Sequence, residues 1–139
     1  MFLVDTNILI DLANPHAEWR AWSAEALGDA MRVGPVSINP IVYAELSIAY
    51  DAIEALDEAL EDLGVVRLSL PYEAGFLAGR AFLDYRRAGG LRTSPLPDFY
   101  VGAHAAVEDL EVITRDPHRI RTYFPSVKLV SPPPGGPVR

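Results

Sequence analysis

The architecture of this 139-residue chain follows from the stretch Phe2-Leu3-Val4-Asp5-Thr6-Asn7-Ile8-Leu9-Ile10. Its first three residues form a short apolar run, which is typical of a strand buried in a parallel sheet. Apolar side chains then recur at helical spacing from Thr6 to Ala13, which predicts a helix directly after Asp5. The carboxylate of Asp5 therefore stands where a strand gives way to a helix.

The same alternation of short apolar strands and helical stretches continues along the chain. Strands are predicted at residues 2–4, 36–38, 65–68, 111–114 and 127–130. Helices are predicted at residues 6–13, 16–31, 40–50, 51–63, 71–88, 98–107 and 117–123, with a loop at 91–97. This order predicts an α/β fold with a mainly parallel sheet of about five strands. We expect one domain over residues 1–130 and a disordered tail, rich in proline and glycine, over residues 131–139.

Three further acids, Glu45, Asp98 and Asp116, complete a candidate site with Asp5. Asp98 opens a predicted helix, and Asp116 follows a predicted strand. Ligand sites of parallel sheets lie at the carboxyl ends of the strands, where the strand order reverses, so we expect these carboxylates to converge there. Because clustered carboxylates repel one another, they need a cation, and oxygen ligands suit Mg²⁺ or Mn²⁺. The set therefore indicates metal-assisted chemistry on a phosphate.

A simpler interpretation of the three aspartates is helix capping. Aspartate accepts hydrogen bonds from the free N–H groups at a helix N-terminus, and Asp116-Pro117 has the pattern of a cap followed by proline. Glu45 does not fit that interpretation, because it lies inside the helix predicted at residues 40–50. Its helical neighbours are all apolar: Ile41, Val42, Ile48 and Ala49. We therefore expect Glu45 to project from a buried face, where a carboxylate needs a cation or a proton.

Composition narrows the possible classes of function. The chain has no cysteine, which excludes disulfides, zinc–thiolate sites and cysteine nucleophiles. No apolar run is long enough to cross a bilayer, and the first residues lack the basic region of a signal peptide, so we expect a soluble cytoplasmic protein. There is no glycine-rich phosphate loop and no nucleophile elbow.

The net charge of −7 does not favour diffuse attraction to nucleic acid. The bases, however, are concentrated in the second half of the chain, and all but Lys128 are arginine, which suits bidentate phosphate contacts. Candidates for contact with an RNA backbone are Arg86, Arg87, Arg92 and Arg115. A solvated surface explains these arginines equally well.

Four motifs in this order resemble those of the PIN-domain ribonucleases, specifically the VapC-type toxins of toxin–antitoxin pairs. The similarity spans residues 2 to about 130. The matching segments are Leu3-Val4-Asp5-Thr6-Asn7-Ile8-Leu9-Ile10, Tyr43-Ala44-Glu45-Leu46, Pro97-Asp98-Phe99-Tyr100-Val101-Gly102-Ala103-His104-Ala105 and Thr114-Arg115-Asp116.

The resemblance implies a three-layer α/β/α fold and a Mg²⁺- or Mn²⁺-dependent endoribonuclease that hydrolyses RNA with a metal-activated water. Asp5, Glu45 and Asp98 match the three most regular acids of the family, and Asp116 matches a more variable fourth that acts through water. Three polar residues match positions that hold the carboxylates and waters: Thr6, Asn7 and Thr114. The expected partners are RNA, a cognate VapB-type antitoxin, and a second copy of the chain.

Two other functions are compatible with the same fold. The chain could be a non-catalytic module that binds RNA or a partner, or a nuclease that cleaves structured DNA. Uptake of divalent metal at the acids, measured by calorimetry, would argue against a binding module. A cleavage assay on RNA and DNA side by side would distinguish a ribonuclease from a DNA nuclease.

Overall fold

A computed structural model describes residues 1–93 and 96–134 of the chain. Its strands are β1 (Phe2–Val4), β2 (Val36–Ile38), β3 (Val66–Arg67), β4 (Glu111–Ile113) and β5 (Leu129–Val130). Its α-helices are α1 (Thr6–Ala13), α2 (Arg20–Val33), α3 (Pro40–Leu46), α4 (Ile53–Leu63), α5 (Tyr72–Arg87), α6 (Pro97–Glu108) and α7 (His118–Tyr123). A 3₁₀ turn, Ser47–Ala49, follows α3.

The five strands form one parallel sheet in the order β3-β2-β1-β4-β5. The chain builds outward from β1 through β2 to β3, and then returns to place β4 on the other side of β1. The strand order therefore reverses between β1 and β4, where the carboxyl ends of Val4 and Ile113 lie side by side. This confirms the predicted three-layer α/β/α fold and places its topological switch point directly before Asp5.

Several predicted boundaries differ from the observed ones. The helix predicted at residues 40–50 ends at Leu46 and continues as the 3₁₀ turn, and the helix predicted to begin at residue 16 begins at Arg20. Strands β3 and β5 are each two residues long, shorter than predicted. Residues 94–95 of the predicted loop and 135–139 of the predicted tail lie outside the described residues. No helix in the described part of the chain is long and apolar enough to span a bilayer.

Helix α6, which carries Asp98, packs closely on α5. The face of α5 turned inward is made of small residues: Ala74, Ala78 and Ala81 are all buried. Aromatic rings close the contact, with the ring centroid of Phe99 lying 5.6 Å from that of Tyr85. Short side chains allow two helices to approach closely, and edge-to-face rings then fix their angle. The first turn of α6 is therefore held by a packed core.

Gly102, one turn beyond Asp98, tests this packing. A Cβ at Gly102 would overlap the ring of Phe124, which is itself buried. We expect Gly102→Ala to lower the free energy of unfolding by about 1–3 kcal/mol, measured by urea denaturation.

The matched control is Gly79→Ala in α5, where an added Cβ meets nothing within 4 Å. We expect this change to stabilise the protein by about 0.5–1 kcal/mol, because alanine restricts the unfolded chain. Equal effects of the two substitutions would contradict this account of how α6 is held.

Candidate active site

Asp5 lies at the switch point and is only 5% exposed. It caps α1, because its Oδ1 accepts a hydrogen bond of 2.8 Å from the backbone N–H of Thr6. Its Oδ2 accepts a second one of 2.7 Å from the hydroxyl of Thr114, the residue that follows β4. One carboxylate therefore joins the ends of the two adjacent strands.

Asn7 connects Asp5 to Asp116. The side-chain amide nitrogen of Asn7 lies 3.3 Å from Asp5 Oδ2, from Thr114 Oγ1 and from Asp116 Oδ2. The backbone N–H of Asp116 donates to Thr114 Oγ1 at 3.0 Å, which holds the turn after β4. Neutral donors thus separate the two carboxylates, and the side chain of Asp116 remains exposed.

Glu45 faces the same site from α3. Its Oε1 accepts a hydrogen bond of 2.6 Å from the hydroxyl of Thr6. The prediction that Glu45 projects from a buried helix face is wrong, however. Glu45 is half-buried, and Ile48 is 88% exposed. Because α3 ends at Leu46, Ile48 belongs to the 3₁₀ turn and no longer follows the helical face of Glu45.

Asp98 lies in the first turn of α6 and is half-buried. Its Oδ2 accepts from Nη1 of Arg119 at 3.4 Å. Arg119 was not recognised from the sequence, although its position in the helix directly after Asp116 was a signal that it could reach the acids. Among the ion pairs of residues 1–93 and 96–134, this is the only one that involves any of the four acids.

The four carboxylates are close enough to influence one another electrostatically. Burial, together with the charges of Asp98 and Glu45, raises the pKa of Asp5 from 3.8 to about 6, against the hydrogen bonds from Thr114 and Thr6, which lower it. Burial also raises the pKa of Asp98, which Arg119 lowers and the charge of Asp116 raises. All four predicted acids therefore act on one electrostatic site.

The acids do not form a ready-made chelate. Within the described residues, no three Asp, Glu or His side chains are close enough together to hold a metal ion. Hydroxyl and amide groups of Thr6, Asn7 and Thr114 lie between the carboxylates instead. The available donors are nonetheless all hard oxygen atoms, and Asp5 is buried against neutral partners only, so the chemistry of the set fits Mg²⁺ or Mn²⁺.

Arg115 is engaged inside the protein. Its guanidinium binds the buried Asp11 through two contacts, Nε–Oδ2 at 2.6 Å and Nη2–Oδ1 at 3.1 Å. The hydroxyl of Ser23 donates to the same carboxylate at 2.6 Å. Asp11, which sequence reasoning missed, thus anchors the turn that carries Asp116 to α1 and α2.

The other three predicted arginines lie on the surface. Arg86, Arg87 and Arg92 are exposed, and Arg86 donates to the backbone carbonyl of Arg92. Arg86 and Arg87 are the last two residues of α5, and Arg92 lies in the loop that follows this helix. Contact between RNA and any of these arginines, or Arg115, stays a prediction.

A buried histidine connects the two helices that carry Glu45 and Asp98. His104 in α6 is fully buried, and its Nδ1 lies 3.2 Å from the amide nitrogen of Asn39. Asn39 caps α3 by accepting from the N–H groups of Ile41 and Val42. Its amide can then only donate to His104, which assigns that ring nitrogen as an acceptor. His104 is therefore a packing and hydrogen-bonding residue.

A family model named PIN domain matches residues 2–125, nearly the whole chain. No curated protein matches it by sequence.

Several solved structures have the same fold. VapBC2 from Rickettsia felis, bound to a DNA fragment from its promoter, is 18% identical with a TM-score of 0.70, over 94% of this chain and 97% of that one. VapBC-1 from nontypeable Haemophilus influenzae is 17% identical with a TM-score of 0.69, over 94% and 96%. FitAcB from Neisseria gonorrhoeae is 22% identical with a TM-score of 0.61, over 93% and 96%.

The raised pKa of Asp5 predicts how stability depends on pH. Its carboxyl titrates near 6 in the folded protein and near 3.8 when unfolded, so the folded state holds the proton more tightly. Ionisation of Asp5 therefore destabilises the fold as the pH rises from about 4 to 6, by at most about 3 kcal/mol. With a chelator present to remove divalent cations, we expect Asp5→Asn to be more stable than wild type by about 1–2 kcal/mol at pH 7.5. The gain is smaller than about 3 kcal/mol because the amide disturbs two hydrogen bonds.

Urea denaturation between pH 4 and 7.5 measures this difference. We expect the gain from Asp5→Asn to shrink and vanish towards pH 4, where wild-type Asp5 is protonated. Asp62→Asn, a change at an exposed acid of α4, serves as the control. A gain for Asp5→Asn that is the same at both pH values would contradict the assignment.

Proposed function

The chain belongs to the PIN domain family, and from this premise we propose that it is a divalent-metal-dependent endoribonuclease, the cytoplasmic toxin of a toxin–antitoxin pair. The observation that carries the proposal is the position of Asp5. It is a buried carboxylate at the switch point of a parallel sheet, and the charges of two other acids act on it. Burial of an ionised carboxylate destabilises the fold unless a cation neutralises the charge. The site therefore suits a reaction that requires a bound divalent cation.

The residues that would hold Mg²⁺ or Mn²⁺ are Asp5, Glu45, Asp98 and Asp116. Bound there, the ion would neutralise charge on a phosphodiester and lower the pKa of a water, which is the chemistry that hydrolysis of the bond requires. Asp116 is the most exposed of the four and is suited to contact through a water.

The chain's own polar residues orient the acids. Thr114 and the N–H of Thr6 hold the two oxygens of Asp5 in fixed directions, and the Thr6 hydroxyl holds one oxygen of Glu45. Asn7 sets the separation between Asp5 and Asp116. Groups held this way need little reorganisation when substrate binds, which favours catalysis.

The role as a toxin draws support from the fold and from an exposed surface. Structures of the same fold include complexes named as toxin with antitoxin. On α5, three apolar residues one or two turns apart lie on a single face that points outward: Tyr72 is 96% exposed, Phe76 66% and Leu83 40%. Aromatic residues on an exposed helix face are typical of a protein contact, so a VapB-type antitoxin or a second copy of the chain is the proposed partner.

The nuclease proposal predicts metal-dependent cleavage of RNA. We expect the wild-type protein to cleave single-stranded RNA with Mn²⁺ and to lose activity in chelator. We expect Asp98→Asn to lower the rate by about 100-fold or more, because it removes a charge needed for the cation and the transition state. Gel assays of labelled RNA measure the rate, and Asp62→Asn is the control with unchanged activity.

The same preparation separates the alternative functions. A protein that cleaves structured DNA but not RNA would replace the ribonuclease with a DNA nuclease. A protein that takes up no Mn²⁺ by calorimetry and cuts neither substrate would be a binding module, and the nuclease proposal would then be wrong.

The partner surface predicts a change in assembly. We expect Phe76→Glu to weaken self-association or antitoxin binding by about 10-fold or more, because it places a charge inside an apolar contact. Light scattering after gel filtration, with and without antitoxin, measures the species formed. Val33→Glu is the matched control, since Val33 is an exposed apolar residue at the end of α2. Unchanged assembly in both variants would exclude this face as the contact.

A further inference from the structure

Two arginines lie on either side of Asp116 in the sequence, Arg115 in the turn after β4 and Arg119 in α7, and they make very different contacts. Arg115 makes two short contacts with Asp11, whose side chain is 5% exposed, and its own side chain is 23% exposed. Arg119 makes one contact of 3.4 Å with Asp98, and the two side chains are 38% and 27% exposed. A buried bidentate pair is structural, whereas a single long contact near the surface is readily exchanged for another partner.

The position of Arg119 directs its charge at the site. Its guanidinium carbon lies 5.9 Å from the ring centroid of Tyr85, so an aromatic face on one side and Asp98 on the other limit where it can point. Tyr85 is in turn packed against Phe99, the residue after Asp98. The guanidinium of Arg119 thus lies at the edge of the group of acids. Its planar set of N–H donors matches the geometry of phosphate oxygens.

We propose that Arg119 is the phosphate-binding residue of this site, and that its ion pair with Asp98 is the resting arrangement that a divalent cation displaces. A cation held at Asp98 would repel the guanidinium and would compete with it for the same carboxylate oxygen. Arg119 released from Asp98 would stay beside the acids, where the phosphodiester of RNA would be its new anionic partner. This assignment rests on the proposed ribonuclease function, and it selects Arg119 over the four arginines predicted from the sequence.

The proposal predicts opposite changes for two ligands when Arg119 is replaced. With Arg119→Gln, we expect Mn²⁺ to bind up to about fivefold more tightly in calorimetry without RNA, because a competing cation is gone. We expect the affinity for a non-cleavable RNA analogue, measured by anisotropy in the presence of metal, to fall by about 10- to 100-fold. A structural role alone would weaken both or change neither.

Arg121→Gln is the matched control, because Arg121 is exposed on the same helix and projects to another side. It should bind Mn²⁺ as the wild-type protein does and bind the RNA analogue with little loss. Arg119→Lys, which keeps the charge but loses the planar fork, should bind the analogue with intermediate affinity. Thermal melting checks that all three variants fold.

Two results would overturn the proposal: Arg119→Gln binding the RNA analogue as tightly as Arg121→Gln does, or Arg119→Gln binding Mn²⁺ no more tightly than the wild-type protein. Neither measurement requires cleavage. Failure of the wild-type protein to cut RNA would therefore count against the ribonuclease function, and the two binding comparisons would still decide the role of Arg119.

Discussion

The hydrogen bond between the Thr114 hydroxyl and Asp5 is the contact on which the site depends. It joins the end of β4 to the end of β1 at the point where the strand order reverses. The same Asp5 side chain caps α1, so one carboxylate aligns a strand, a helix and the neighbouring strand. Because its oxygens are oriented by donors on both sides, Asp5 is fixed in direction although it is buried and charged.

This arrangement has an electrostatic cost that the fold tolerates. Burial and two neighbouring charges oppose ionisation of Asp5, and burial opposes that of Asp98. Neutral hydroxyl and amide groups are placed between the carboxylates, which lets them share one edge of the sheet without direct contact. Arg119 supplies partial compensation at Asp98, whereas Arg115 serves the framework through Asp11. The two neighbouring arginines thus divide structural and electrostatic roles.

Packing between helices that are distant in sequence positions the acids of the site. Small residues in α5 and a glycine in α6 allow α6 to approach its neighbours closely, which positions Asp98. The contact between Asn39 and the buried His104 joins the start of α3 to α6. Glu45 and Asp98 therefore face a common space because their helices are connected beneath the surface.

The sequence alone determined the order of the elements, the parallel sheet and the positions of Asp5, Asp98 and Asp116 where strands end or helices begin, because each rests on local patterns. A short apolar run predicts a strand, helical spacing predicts a helix, and an acid where a strand gives way to a helix predicts the edge of the sheet. Helix ends were harder: the sequence around Ser47 permits a longer α-helix, and the 3₁₀ turn there exposes Ile48.

Only the tertiary structure decided which polar groups meet. The pairing of Arg115 with Asp11 and of Arg119 with Asp98 joins residues on separate elements, and no local spacing distinguishes an arginine that anchors a turn from one that faces a site. The depth at which each carboxylate is buried, and hence its pKa, depends on neighbours brought in by folding. The sequence specifies the chemistry of each side chain, but the distances between side chains and the burial of each one depend on how the chain packs.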